Sequence, residues 1–99
     1  MILDLAIIDI KADSTAAFEA ALEQVSPLFD RAKGHLRHQF KKCIEQENRY
    51  IFLVEWETVE DHTIGFAKSD LGKELLTLIG KYIEKKPLIQ HYQDYRSSR

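Results

Sequence analysis

A single cysteine, Cys43, leaves no partner for an internal disulfide, and the Cys/His spacing of a zinc finger is missing. No apolar run approaches the ~20 residues that a membrane-spanning helix needs. The start, Met1-Ile2-Leu3-Asp4, lacks the basic stretch of a secretory signal, so the expected location is the cytoplasm. Charge of one sign is scarce as well: 14 Lys and Arg against 16 Asp and Glu give a formal charge of −2. That balance argues against affinity built on neutralising phosphates and against a polybasic membrane anchor, so no nucleic-acid or membrane partner is expected. The four glycines are isolated, at Gly34, Gly65, Gly72 and Gly80, and form neither a dinucleotide fingerprint nor a P-loop. No G-x-S-x-G elbow surrounds Ser14, Ser26 or Ser69.

What remains is an ordinary globular mixture of 99 residues, 44% hydrophobic and 30% charged, without repeats or linkers. It reads as one domain over 1–99, with its core in 2–95 and a short tail at 96–99. Ile2 to Ile10 alternates Leu3/Leu5/Ile7 with Ile2/Ala6/Ile8/Ile10, a strand apolar on both faces and therefore central. Asp13 or Ser14 is placed to cap a helix whose stripe is Phe18, Ala21, Leu22, Val25, Leu28 and Phe29. Pro27 predicts a kink near Gln24, and Gly34 a stop. Leu36 to Ile44 is a strand rich in Arg, His and Lys, suited to a sheet edge. Glu45 to Asn48 form the turn into a second apolar strand, Arg49 to Glu57. Thr58-Val59-Glu60-Asp61 has the hydroxyl-to-acid spacing of a helix cap. Ser69-Asp70 restarts a helix with the stripe Leu71, Leu75, Leu78, Ile79, Tyr82 and Ile83, which Pro87 ends before a last strand, Leu88 to Tyr95.

The order β-α-β-β-α-β, with the second helical segment broken around Lys68 to Asp70, predicts an α+β fold. It is the ferredoxin-like sandwich, with an antiparallel four-stranded sheet and the first and third strands central. Both helices then cover one sheet face. The other face is too apolar to remain in water, so a homodimer packed through sheet faces is expected.

The strand Tyr50-Ile51-Phe52-Leu53-Val54-Glu55-Trp56-Glu57 and the following Val59-Glu60-Asp61-His62-Thr63-Ile64-Gly65-Phe66 carry a resemblance. So do Ser69-Asp70 and Pro87-Leu88-Ile89-Gln90-His91-Tyr92. With these features the chain resembles the antibiotic biosynthesis monooxygenase (ABM) domain of the dimeric α/β barrel superfamily, over nearly its whole length. The resemblance implies a homodimer with one pocket per subunit between sheet and helices. It also implies a small aromatic or enolisable substrate, oxygenated in some members without metal, flavin or haem. An electron-rich phenolate can itself reduce O2, so the protein need supply only a base, a dry cavity and orienting donors. Haem-degrading relatives carry a strand Asn, a helix Trp and a later His, none of which stands at the matching place here.

His62 is the candidate catalytic base, since an imidazole titrating near ~6.5 accepts a proton at neutral pH. Its other reading is a packing residue bonded to a backbone carbonyl. Phe52, Phe66 and Trp56 are candidate aromatic walls of the substrate site, Trp56 reading more readily as a core anchor. His91 and Tyr92 point to opposite sides of the last strand, and His91 is taken as the pocket residue, with the dimer interface as its alternative. No cofactor and no metal are expected. His35 and His38, three apart in a strand, fall on opposite faces and share no ion. Cys43 reads as an incidental thiol. The expected function is a cofactor-independent monooxygenase of a small apolar or aromatic ligand. The alternatives are a non-catalytic dimeric ligand-binding module and a proton-transferring isomerase.

Overall fold

A computed structural model of the chain describes residues 1–96, so residues 97–99 of the expected tail lie outside it. The elements are β1 (Ile2–Asp9), α1 (Thr15–Asp30), β2 (His35–Lys42), β3 (Arg49–Trp56), a π-helical turn (Asp61–Phe66), α2 (Asp70–Ile79), a 3-10 turn (Gly80–Tyr82) and β4 (Leu88–Tyr92). The strands form one sheet in the order β2-β3-β1-β4, every pair antiparallel. This is the α+β ferredoxin-like architecture, with the two doubly apolar strands in the centre.

Alternation decides which face each side chain takes. Ala6 and Ile8 of β1 and Phe52, Val54 and Trp56 of β3 point at the helices and are buried. Helix α1 covers them with Phe18, Val25 and Phe29, and α2 with Ile79. On the opposite face Leu3, Leu5, Ile7, Ile51 and Leu53 are half-buried, and Leu88 and Tyr92 of the edge are exposed.

Several local details depart from the sequence expectations. Helix α1 runs through Pro27 without a break, because a proline removes only the N–H that would reach the Glu23 carbonyl. Ser14 occupies the cap position, but its hydroxyl donates to Asp13 Oδ1 at 3.2 Å rather than accepting from the helix. The last strand ends at Tyr92, short of Tyr95. In β2, His35 pairs with Trp56 and Arg37 with Glu55, so one extra residue bulges out between them. A bulge reverses the side parity of the residues beyond it. His35 and His38 therefore share the helix-facing side, with His35 Nε2 2.9 Å from His38 Nδ1, and the expectation of opposite faces is corrected.

Candidate functional site

The site begins with one acid on the inward face of the central strand. Asp4 is 4% exposed and sits in register with His91 of β4 on one side and Val54 of β3 on the other. Burying a carboxylate is costly unless it is partnered. Oδ2 accepts from Trp56 Nε1 at 3.4 Å and lies 3.3 Å from His62 Nε2, while Oδ1, also buried, has no partner.

His62 reaches Asp4 because of how the chain leaves β3. Thr58 and Asp61 close a reciprocal cap, with Thr58 N–H donating to Asp61 Oδ2 at 3.2 Å and Asp61 N–H to Thr58 Oγ1 at 3.1 Å. The next turn is wide: the Ala67 N–H reaches the His62 carbonyl, five residues back, at 2.9 Å. Such π-turns recur at functional sites. The turn is tied to α2 by Ser69, whose Oγ donates to the Phe66 carbonyl at 2.7 Å and accepts from Gly72 N–H at 3.3 Å. The imidazole of His62 stacks on the Trp56 indole, 5.5 Å between centroids and 13° from parallel. Its Nδ1 lies 2.8 Å from His91 Nε2.

Asp4, His62 and His91 thus form a line, with the middle ring engaged through both nitrogens. Burial pushes the Asp4 carboxyl up to about 6, against the opposing pull of the Trp56 hydrogen bond and His91. Burial first, and His91 second, push His62 down to about 4. At neutral pH the pair is therefore a carboxylate beside a neutral imidazole. The hydrogen bonds are satisfied when His62 Nε2–H donates to Asp4 and Nδ1 accepts from His91 Nε2–H. Donor atoms of the three residues lie within 4.8 Å of one another, but the bonded contacts leave His62 from opposite sides of its ring. That is the arrangement of a proton relay rather than of a chelate.

Beside this line is a cavity of about 110 Å³ between sheet and helices. Its floor is Asp4, Ala6, Ile8, Phe52 and Val54. Phe29, His62, Phe66, Leu75, Leu76, Ile79, Ile83, Pro87 and Ile89 complete the wall. Every lining side chain except Asp4 and His62 is apolar. Of the residues singled out from sequence, His62, Phe52 and Phe66 line the cavity. Trp56 does not: it is fully buried beneath His62, with its N–H turned to Asp4. His91 is also absent from the wall and meets the site only through His62. Asp4 is the member that sequence reasoning missed.

The sequence model of the antibiotic biosynthesis monooxygenase family matches residues 1–76. The chain belongs to this family. Asp4, Phe52, Trp56, His62 and Phe66 of this ABM protein fall inside the matched span, and His91 beyond it. YczJ, an uncharacterised protein of Bacillus subtilis, is 37% identical over 94 residues, covering 95% of this chain and 99% of the relative. A solved structure from Bordetella bronchiseptica, named for the same family, is 34% identical with a TM-score of 0.92, covering 96% and 97% of the two chains. SnoaB of Streptomyces nogalater, a cofactor-independent oxygenase, shares the fold at a TM-score of 0.81 and 13% identity, over 98% of this chain and 95% of its own. Among the described residues no helix is long and apolar enough to cross a membrane.

Proposed function

We propose that this ABM protein is a cytoplasmic, cofactor-independent monooxygenase acting on a single-ring phenol or an enolisable ketone of similar size. The observation that carries the reading is the buried Asp4, with an unpartnered oxygen, in the wall of a cavity that is apolar apart from Asp4 and His62. Family membership supports the reaction class. Size supports the substrate class, since an apolar cavity of ~150 Å³ accepts benzene and this one is of that order.

The proton acceptor in this reading is the Asp4–His62 pair rather than an isolated imidazole. Asp4 takes the acidic proton of the substrate on Oδ1, while His62 holds Oδ2 through Nε2–H and is itself held by His91. The resulting phenolate is an electron-rich anion in a dry site, where it reduces O2. One oxygen atom replaces the ring C–H para to the phenol oxygen as a second carbonyl. The other leaves as water with the two hydrogens that the substrate gives up, so a phenol and O2 become a quinone and water. Phe52 and Phe66 supply the ring contacts. The half-buried apolar face of the sheet supports a homodimer as the working form, a second copy being the surface of matching chemistry.

Metal-stripped protein presented with phenols, hydroquinones and enolisable ketones, with and without O2, tests this reading. Turnover is expected only with O2, one O2 consumed per quinone, and Asp4→Asn is expected to lower it by at least about 100-fold. Turnover that persists without O2 would favour the second reading, an isomerase, which the Asp4–His62–His91 line also supports because it can move a proton without an oxidant. Thermal stabilisation by a ligand with no product would leave a binding module.

A further inference from the structure

The second group of metal-ligating side chains lies outside the cavity wall, where the last residue of α1, Asp30, meets the bulged start of β2. His38 Nδ1 stands 2.9 Å from His35 Nε2 and 3.8 Å from Asp30 Oδ1, and the three donor atoms all lie within 4.8 Å of one another. We propose that Asp30, His35 and His38 bind a divalent transition-metal ion of the zinc, cobalt or nickel type.

The arrangement differs in kind from the Asp4 line. There the central imidazole uses opposite nitrogens; here His35 and Asp30 both approach one nitrogen of His38, so the donors converge on a point. The other nitrogen, Nε2, is 2.5 Å from Ser26 Oγ of α1. An Nε2–H given to that hydroxyl leaves a lone pair on Nδ1, the outer-shell contact that commonly sets the tautomer of a ligating histidine. Two nitrogens 2.9 Å apart subtend about 90° at an ion roughly 2.05 Å from each, and a few tenths of an ångström of opening reaches tetrahedral geometry. The His38 side chain is 11% exposed and that of Asp30 64%, so the imidazole is fixed while the carboxylate can swing in and water can fill the remaining positions. Two imidazoles and one carboxylate suit zinc, cobalt or nickel better than magnesium or calcium. The ion would fasten the end of α1 to β2 across Phe29, whose ring packs on both histidines.

The test uses the full chain without an affinity tag, stripped by chelator and titrated with Co2+. Trp56, the only tryptophan, has its ring 6.0 Å from that of His35 and reports a bound paramagnetic ion by quenching. One equivalent of Co2+ is expected to saturate both the quenching and a visible absorption band. His35→Gln is expected to lose at least about 100-fold in affinity and Ser26→Ala about tenfold. Asp30→Asn, at an exposed position that does not threaten the fold, is expected to weaken binding at least about tenfold, and His91→Gln to bind as the parent does. No saturable binding, binding untouched by Asp30→Asn, or binding lost in His91→Gln would each overturn the proposal. The reading of the cavity stands or falls separately.

Discussion

Asp4 and His62 carry opposite debts to burial, and their pH dependence exposes both. With its carboxyl raised from 3.8 to about 6, folded Asp4 holds a proton that the unfolded chain has released. Its contribution to stability therefore falls as pH rises between about 4 and 6. His62, lowered from 6.5 to about 4, stays neutral where the unfolded chain is protonated, so its contribution rises with pH between about 4 and 6.5. Each amounts to roughly 3 kcal/mol with opposite sign, and the two nearly cancel. Denaturant melts across this range are expected to show a small net slope from the pair. In Asp4→Asn stability should climb by about 3 kcal/mol from pH 4 to 6.5, and in His62→Gln it should fall by a similar amount from pH 4 to 6. A parent-like profile in both variants would remove the electrostatic account of the site. Asp4 was missed in the sequence, although it is the one acid on the face shared by Ile2, Ala6, Ile8 and Ile10. What sequence does not carry is that β4 and the turn after β3 bring two imidazoles to it.

At the scale of elements, Gly72 holds the π-turn against α2. A Cβ there would stand 2.4 Å from the Phe66 carbonyl oxygen and 3.0 Å from that of Ala67, both backbone atoms. Gly72→Ala is therefore expected to lower stability by about 2 kcal/mol, read from the midpoint of urea unfolding, and to disturb the cavity wall at Phe66. Unchanged stability would mean that the turn yields easily. The order of elements and their central or edge placement were legible because Ile2 to Ile10 and Arg49 to Glu57 are apolar on both sides while Leu36 to Ile44 is not. Thr58 and Asp61 announced their cap in the same way. The bulge before Arg37 and the π-turn at Asp61–Phe66 were not legible. Each adds one residue to a regular element, which alters side-chain parity without altering composition, so strict alternation separated two histidines that the fold joins.

For the whole molecule, the face of Leu3, Leu5, Ile7, Ile51 and Leu53 predicts association. Light scattering at micromolar concentration is expected to give twice the chain mass, and Leu53→Glu, which puts a charge into the middle of this apolar face, is expected to give one chain. A parent mass of one chain would end the dimer proposal. The same strand that offers Leu3, Leu5 and Ile7 to this face offers Asp4, Ala6 and Ile8 to the cavity. Point substitutions can alter either set alone, whereas a one-residue slip of β1 exchanges them at a stroke, setting leucines in the cavity and a carboxylate on the open face. An insertion or deletion in β1 therefore couples the cavity to the open face, and only a bulge, such as the one β2 carries before Arg37, would uncouple them.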